Sequence, residues 1–427
     1  MRLVILVFFL FIVFENFAQD VDRHTSFSLD LNENQRNQQE NSFNFTAIAL
    51  KSKVINDFSE IGFIHESDTI YFNNDLHSSE DSDYFYSSLI HFDKALQSIE
   101  LHTPDHINEL EVVLINGSGE YANFSQRSSN SNQNNDCELE GVVQQSEWRS
   151  GLASPSYSRS FTTTEHMIVH HSAGSNNISN FTQAVRNIYI LHTEENGWSD
   201  IGYNYLVAPD GVIYAGRDPA TGKQDEVLGA HFCGSNSNTM GICLLGNYET
   251  AEPTSVMLES LVDVLSWKAF KDDLNVLESD FHPLNANLEV IAGHQDGCST
   301  ACPGENVYKR LPEIRLNVDQ QLSICKGEKE EGPIIELKFD SLLTQTIYPN
   351  PIKSDFSFSL NILEKRKDEL QYIKVFDQTG KSIKWQSIQF SENKIEVTLP
   401  NTLKPGIYFL QTSFMNGEEK SQRFLIL

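Results

Sequence analysis

The chain has few basic residues for its size. Its 427 residues include 31 Lys and Arg against 59 Asp and Glu, which gives a formal net charge of -28 at pH 7. Nucleic-acid binding takes most of its affinity from clustered Lys and Arg, and this excess of carboxylates would repel a phosphate backbone. The composition therefore argues against nucleic acid as a partner.

Long apolar segments are missing after the first residues. Met1 and Arg2 precede an apolar run at 3–14, and a smaller, more polar stretch follows at 16–19. A run of that length is shorter than the roughly 20 residues that span a bilayer, and its basic start and polar end are typical of a signal peptide. We expect residues 1–18 to be a signal peptide, and the mature protein to be exported and to have no transmembrane segment.

Cysteine is scarce, with six residues in the chain. An exported protein can use them in disulfides, whereas in the cytosol metal binding or redox chemistry would be favoured. Cys137 and Cys325 bracket the central part of the chain, so a disulfide between them would join its two ends. Cys243 lies in an apolar run, where an inert, buried thiol is the expected state.

Two stretches of low complexity divide the chain before its centre. Residues 32–42 are rich in Asn and Gln and have too few apolar side chains to offset the entropy of ordering them, so we predict a flexible leader over 19–42. Residues 125–136 are rich in Ser and Asn, and we place a linker at 121–136. Short apolar segments alternate with polar turns between these stretches, which predicts a β-rich accessory domain over 43–120.

The central region alternates strand-like with helix-like segments. Residues 166–170 form a short apolar run that ends in a loop. Ser179 can cap a helix whose apolar positions recur at helical spacing until about residue 192, and a second amphipathic helix is predicted from about Thr254. Several short strand signals lie between and after them. This pattern predicts an α/β domain over 137–325, with helices packed on a central mixed β-sheet.

The last part of the chain has strand signals throughout. A Glu-rich linker is predicted at 326–344, and residues 345–427 contain short alternating apolar segments separated by turn signals. Their number is close to the roughly seven strands of a β-sandwich. The expected architecture is therefore an α/β domain flanked by an N-terminal β-rich domain and a C-terminal β-sandwich.

Three side chains in the central region have the chemistry of a catalytic zinc site. His170 ends one predicted strand, His294 follows another, and Cys302 lies eight residues later in the same loop. Two neutral imidazoles and one thiolate fill three corners of a tetrahedron and leave the fourth open, which is typical of catalytic rather than structural zinc. Each signal is weak by itself, because a His at a strand end is more often structural than a ligand.

Taken together, the motifs resemble those of the peptidoglycan recognition protein and N-acetylmuramoyl-L-alanine amidase family. The resemblance extends over about 148–315. It rests on V-H-H-S-A-G (169–174), G-W-S-D-I-G-Y-N-Y (197–205), G-A-H (229–231), M-G-I (240–242), and G-H (293–294) with C-P-G (302–304). It implies a Zn²⁺ ion bound by His170, His294 and Cys302. It also implies hydrolysis of the amide bond between N-acetylmuramic acid and L-alanine in bacterial peptidoglycan.

The same resemblance assigns roles to other residues. The family's catalytic tyrosine corresponds to Tyr203, whose phenol would hydrogen-bond the developing oxyanion and help a proton reach the leaving amine. Thr300 matches the position where family members have Thr or Lys to stabilise the transition state. His171, His231 and Asn236 match positions of the substrate groove. A packing role for His171 and turn-shaping roles for the other two are the alternatives.

Other features near these motifs bear on the site. Cys233 and Cys298 lie in loops that the motifs bring near the metal, and they are the second candidate disulfide pair. Where many family members have Gly-Arg-Gly-Trp, this chain has G-R-D-P at 216–219, so no preference between diaminopimelate and lysine stem peptides is implied. The alternative to an enzyme is a non-catalytic peptidoglycan-binding protein, in which the cysteine ligand is typically replaced. The presence of Cys302 favours the enzyme, and a surface adhesin would leave the zinc residues without a role.

The tail has a resemblance of its own. It has Y-P-N-P at 348–351, G-I-Y-F-L at 406–410 and R-F-L-I-L at 423–427. These motifs resemble a type IX secretion sorting domain, which directs a protein across the outer membrane, and the alternative is an ordinary accessory sandwich. The resemblance implies the outer-membrane type IX secretion machinery as a partner and a secreted or cell-surface location. The basic residue that usually closes such domains is absent.

Overall fold

A computed structural model describes most of the chain. The described residues are 22–30, 37–65, 68–75, 83–104, 106–107, 109–122, 124, 137–327, 347–348, 352, 356–361, 370–377, 381–391, 394–414 and 419–426. The predicted signal peptide lies outside them, as do most residues of the two predicted linkers. None of the helices within these ranges combines the length and the apolar composition that crossing a bilayer demands.

The described residues of the N-terminal part form one antiparallel sheet of eight strands. The strands are β1 (His24–Asp30), β2 (Asn37–Ser52), β3 (Gly62–His65), β4 (Asp68–Tyr71), β5 (Asn74–Asp75), β6 (Phe85–Ser87), β7 (Ile90–His102) and β8 (Glu109–Ile115). Their order in the sheet is β1, β8, β2, β7, β3, β4, and β6 pairs with both β5 and β2. The β-rich prediction for 43–120 agrees with this sheet, which begins earlier than predicted.

The strand β1 lies inside the predicted flexible leader, and that prediction is wrong for residues 24–30. β1 pairs along its whole length with β8, from His24 opposite Ile115 to Asp30 opposite Glu109. Leu29 is buried in the apolar core of the sheet. The composition of 19–42 gave no sign of this order, because the backbone hydrogen bonds and the apolar contact come from a strand about 80 residues further along the chain.

The central part is an α/β domain, as predicted. Its strands are β9 (His166–His171), β10 (Tyr205–Val207), β11 (Ile213–Ala215), β12 (Thr239–Leu244), β13 (Ser279–His282), β14 (Asn285–Glu289) and β15 (Ile291–Gly293). Its helices are α1 (Gln145–Trp148), α2 (Phe181–Ile190), α3 (Ser255–Asp272), α4 (Glu305–Tyr308) and α5 (Leu311–Cys325). The main sheet has the order β11, β10, β12, β9, β15 and is mixed, because β11 is antiparallel to β10 and the other pairs are parallel.

The two faces of this sheet are covered by different helices. Successive side chains of a strand point to opposite faces. Cys243 and Leu206 pack with side chains of α2, whereas Val169 and Leu244 pack with those of α3 and α5. His170 lies opposite Cys243 in the register of β9 and β12. Its side chain therefore belongs to the α2 face.

The N-terminal sheet packs directly on helix α2. Ala47 and Val113 of the sheet share one apolar core with Val185 and Ile188 of the helix. All four side chains are buried. The accessory domain and the α/β domain are therefore joined by a common core, which the sequence analysis did not predict.

The C-terminal part consists of two four-stranded sheets. They are β16 (Ile347–Tyr348), β17 (Ser357–Asn361), β21 (Lys394–Thr398) and β20 (Ser387–Ser391), and β19 (Ser382–Ile383), β18 (Leu370–Asp377), β22 (Gly406–Phe414) and β23 (Glu419–Ile426). Phe358 and Val397 of the first sheet share a buried core with Val375 and Leu410 of the second. Two sheets around one apolar core agree with the predicted β-sandwich.

A disulfide joins the two ends of the central domain. Cys137 precedes α1 and Cys325 ends α5, and their Cα atoms lie 5.5 Å apart. The two cysteines are 188 residues apart in the sequence. It is the pairing that the positions of the two cysteines predicted.

Candidate metal centre

Three predicted ligands converge at one edge of the central sheet. The ligand atoms of His170, His294 and Cys302 lie within 4.8 Å of one another, and all three residues are buried. Strands β9 and β15 are parallel neighbours, with Gly293 paired to Val169. Their carboxyl ends therefore place His170 and His294 side by side, and the loop before α4 brings Cys302 to them.

The distances within this cluster suit a zinc ion. Cys302 Sγ lies 3.6 Å from His170 Nδ1. A zinc ion that bonds nitrogen at about 2.0 Å and sulfur at about 2.3 Å at a tetrahedral angle holds the two atoms roughly 3.5 Å apart. The backbone N–H of His171 also donates to Cys302 Sγ at 3.3 Å, which favours the thiolate form. A donor set of two imidazoles and one thiolate fits zinc and leaves one position open.

A second group of donors lies beside the first. Cys233, His294 and Cys298 also have their ligand atoms within 4.8 Å of one another. However, Cys233 and Cys298 form a disulfide, with Cα atoms 6.2 Å apart. The sulfur atoms of a disulfide have no thiolate charge to offer a metal. This bridge, which is the second pair suggested by the sequence, leaves Cys302 as the candidate sulfur ligand.

His231 lies behind a metal ligand. Its Nδ1 is 3.1 Å from His170 Nε2, and its Nε2 is 3.4 Å from the hydroxyl of Thr239. With Nε2–H of His170 donating to His231, Nδ1 of His170 is the atom left for the metal. A Cβ atom at Gly241 would lie 2.6 Å from the His231 ring, so the glycine makes room for it. The structure thus places His231 in contact with the candidate ligand His170, a contact that the sequence did not predict.

Tyr203 lies next to the same ligand. Its ring centroid is 5.3 Å from that of His170, and the side chain is almost entirely buried. On its other side, the ring of His192 lies 6.0 Å away. His192 accepts a hydrogen bond from the N–H of Gly202 and packs on Trp198 with 4.5 Å between ring centroids. His192 is a site residue that sequence reasoning missed, and its place in the apolar spacing of the helix was the only signal.

Thr300 and Asn236 both hold loops of the site. Thr300 Oγ1 accepts a hydrogen bond of 3.1 Å from the N–H of Cys302, so it orders the backbone of the sulfur ligand. Asn236 Oδ1 accepts from the N–H groups of His231 and Phe232 at 2.7 and 2.9 Å. Its oxygen therefore shapes the turn that positions His231, in agreement with the turn-shaping alternative.

His171, for which the sequence left a groove role and a packing role open, has its side chain on the other face of the sheet. His171 lies opposite Leu244 in the sheet register, so its ring is on the α3 and α5 face, away from His170. There its Nδ1 accepts a hydrogen bond of 3.2 Å from the N–H of Tyr248. The ring therefore packs on that face, while the backbone N–H and carbonyl oxygen of His171 contact Cys302 Sγ at 3.3 and 3.8 Å.

Comparisons with known proteins place the central and C-terminal parts of the chain in known families. The family described as N-acetylmuramoyl-L-alanine amidase matches residues 160–305, and the secretion system C-terminal sorting domain matches residues 346–427. The chain is 31% identical over 173 residues to peptidoglycan-recognition protein SC2 of Drosophila simulans, and the aligned region covers 40% of this chain and 84% of that protein. It is 31% identical over 163 residues to N-acetylmuramoyl-L-alanine amidase of Homo sapiens, and the aligned region covers 36% of this chain and 26% of that protein.

A solved structure of wild-type Drosophila PGRP-LB aligns with a TM-score of 0.33 and 27% identity, covering 40% of this chain and 91% of that one. On the sequence matches, the chain belongs to the peptidoglycan recognition protein and N-acetylmuramoyl-L-alanine amidase family. Its last part, residues 346–427, is a type IX secretion sorting domain. Both resemblances stated from the motifs are confirmed.

Proposed function

We propose that the chain is a zinc-dependent amidase that hydrolyses the bond between N-acetylmuramic acid and L-alanine in bacterial peptidoglycan. The observation that supports this most is the ligand set, because His170, His294 and Cys302 are all present and converge within 4.8 Å. Family members that only bind peptidoglycan typically lack the cysteine. The human relative is also named as an amidase of this specificity.

The ligand set suits hydrolysis of an amide. His170, His294 and Cys302 would hold a zinc ion there, which would supply Lewis-acid chemistry for the amide carbonyl and for water near neutral pH. Because Cys302 is the one anionic ligand among three, the protein leaves net positive charge at the centre, where negative charge develops on the substrate oxygen. The second cysteine pair is held in its disulfide and adds no charge.

Side chains around the centre provide the remaining chemistry. The phenol of Tyr203, whose ring lies beside His170, is the group that we expect to donate a hydrogen bond to the developing oxyanion and to pass a proton towards the leaving amine. His231 holds His170 in the orientation that directs Nδ1 to the metal. The backbone N–H of His171 and the hydroxyl of Thr300 hold Cys302.

The test is digestion of defined muropeptides by the wild type and by Cys302→Ser, with metal content measured on both. We expect the wild type to hold about one zinc ion per chain and to release free stem peptide, and the variant to lose both. The matched control is Cys243→Ser, which changes the other buried cysteine outside the two disulfides. Unchanged cleavage by Cys302→Ser would contradict the proposed site. Zinc-loaded wild type that binds muropeptides and never cleaves them would support the non-catalytic alternative.

We also propose that the protein acts outside the cell that makes it, either secreted or on the cell surface. The sorting domain at 346–427 supports this proposal, with the outer-membrane type IX machinery as the partner for export and bacterial peptidoglycan as the partner for function.

A further inference from the structure

The N-terminal domain holds the segment that follows the strand of His170. The carboxylate of Asp93 in β7 accepts hydrogen bonds from the N–H and the hydroxyl of Ser179 and from the N–H of Asn180, at 2.8 to 2.9 Å. The side-chain amide of Gln183 donates to the carbonyl oxygen of Phe92 at 2.6 Å. The start of α2 is therefore fixed by the accessory domain.

A buried polar contact fixes the middle of α2 in the same way. Thr46 Oγ1 donates to Asn187 Oδ1 at 2.8 Å, and the amide nitrogen of Asn187 lies 3.2 Å from both the carbonyl oxygen of Thr46 and Nδ1 of His91. Burial lowers the pKa of His91 to about 4, so its ring is neutral and can accept this hydrogen bond. Buried polar groups that satisfy one another fix a single arrangement of the two surfaces.

This interface ends at a small pocket beside Tyr203. The connection between β6 and β7 contributes Ser88 and Leu89 to its wall. The α/β domain contributes Ser172, which follows the strand of His170, and Tyr203 itself. The rest of the wall is formed by the end of α2 and the π-helical turn after it, with Ile188, Leu191 and His192. Two domains therefore build one pocket, and the tyrosine that faces the metal ligand is part of it.

The lining of the pocket suits a small, uncharged group. Leu89, Ile188 and Leu191 are apolar, and the remaining lining side chains are three hydroxyls and an imidazole. Carboxylates, Lys and Arg are absent from the lining described by the structure, so a carboxylate of a stem peptide would lose its hydration without gaining a cation. A methyl group can pack on the apolar side chains while an adjacent amide hydrogen-bonds the hydroxyls.

We propose that the N-terminal domain completes the substrate cleft, with Ser88 and Leu89 forming, together with Tyr203, a pocket for a methyl group next to an amide close to the scissile bond. This inference rests on the proposed function, because Tyr203 is placed at the reacting amide there. Two parts of the substrate have this chemistry: the acetamido group of the sugar and the alanyl residue.

The experiment measures binding of N-acetylmuramoyl-L-alanyl-D-isoglutamine by calorimetry, with the full chain in a Cys302→Ser background so that no turnover occurs. Ser88→Leu fills the pocket and is expected to raise the Kd at least tenfold. Ser59→Leu makes the same change at an exposed position of the same domain and is expected to leave the Kd unchanged. Ser88→Ala adds no bulk and is expected to raise the Kd about threefold to tenfold through the lost hydrogen bond.

Two ligand analogues identify the source of the group. One has a free amine in place of the acetamido group, and the other has glycine in place of L-alanine. The analogue that lacks the group held in the pocket is expected to bind the Cys302→Ser protein weakly. Adding Ser88→Leu should then leave the Kd of that analogue unchanged. If both Ser88 variants bind every ligand as tightly as Ser59→Leu does, the pocket proposal is overturned. Because binding is read without turnover, that result is distinct from a failure of the amidase proposal, which the cleavage assay detects.

Discussion

His170 and Cys302 each depend on a neighbour that does not bind metal. His231 Nδ1 lies 3.1 Å from His170 Nε2, and the N–H of His171 donates to Cys302 Sγ. Such contacts fix the tautomer of an imidazole and favour the charged form of a thiol, so they raise the affinity of the site for zinc. The candidate metal centre thus includes neighbours of the three proposed ligands.

We expect His231→Ala to lower the zinc affinity by roughly 10-fold to 100-fold, because His170 loses the hydrogen bond that orients it. The measurement is competition for zinc with a chelator of known affinity. His102→Ala changes an exposed histidine of the N-terminal domain and serves as the control. Equal zinc affinities for the two variants would show that His231 does not orient the ligand.

Tyr203→Phe is expected to reduce kcat by about 10²-fold to 10³-fold, because the phenol that donates to the developing oxyanion is lost. Zinc content should stay at the wild-type level, since the ring still packs beside His170. The matched control is Tyr205→Phe, which removes a phenol from the apolar core on the opposite face of the sheet. Activity kept by Tyr203→Phe would exclude the tyrosine from the chemistry.

The three candidate ligands could be named from the sequence, whereas the contacts of the residues around them could not. His170, His294 and Cys302 are recognised by side-chain chemistry and spacing, which the sequence displays directly. The face to which His171 points depends on where β9 pairs in the sheet, and a shift of one residue would reverse it. The contact between His231 and His170 joins segments 61 residues apart, and a single sequence gives no sign of it.

Helix α2 was predicted from the spacing of its apolar residues, but its two ends differ from the prediction. Its existence and its apolar face follow from the sequence, but its cap does not: Asn180 Oδ1 accepts from the N–H of Gln183, whereas the predicted cap Ser179 bonds Asp93. The helix continues into a π-helical turn, Leu191–Glu195, which turns His192 towards Tyr203. The contact of Ser179 with Asp93 joins residues 86 apart in the chain, which the helical spacing cannot show.

Asp93→Asn is expected to destabilise the folded protein by about 1 kcal/mol at pH 7, because a charged acceptor at the start of α2 is replaced by a neutral one. Burial acts to raise the pKa of Asp93, but the hydrogen bonds from Asn180 and Ser179 outweigh it, and the pKa is lowered. The contribution is therefore present above the pKa of the unfolded chain, near 3.9, and is lost as the pH falls through the lower folded value.

The measurement is the thermal midpoint of wild type and Asp93→Asn between pH 3 and pH 7. The difference should be constant above about pH 5 and shrink towards zero below about pH 4. Asp68→Asn, at an exposed carboxylate of the same domain, is the control. A difference that grows as the pH falls would contradict the capping role.

At the scale of the whole molecule, the order of the domains was predictable and their contact was not. Changes of composition along the chain suggested three parts. The alternating pattern of the N-terminal strands shows that one face is apolar, but it does not show that α2 covers the face of Ala47 and Val113. The leader prediction failed for β1 for the same reason, since its partner β8 is distant in the chain.

Deletion of residues 346–427 is expected to retain the protein between the two membranes of a bacterium that uses type IX secretion, while the full chain reaches the surface or the medium. The reason is that the deleted segment is the sorting domain, whereas the α/β domain has its own core and disulfide. Fractionation with antibody detection measures the distribution, and muropeptide cleavage by the retained protein checks that it is folded. Export of the truncated chain at the full-length level would contradict the sorting role.

The most direct test of the account is X-ray absorption at the zinc edge of the purified, oxidised protein. We expect about one zinc ion per chain, with one sulfur neighbour at about 2.3 Å and nitrogen or oxygen neighbours at about 2.0 Å. Cys302→Ser should remove the sulfur neighbour. Two sulfur neighbours would place the ion between Cys233, His294 and Cys298 instead. That result, or zinc without any sulfur neighbour, would contradict the assignment of His170, His294 and Cys302 as the catalytic centre.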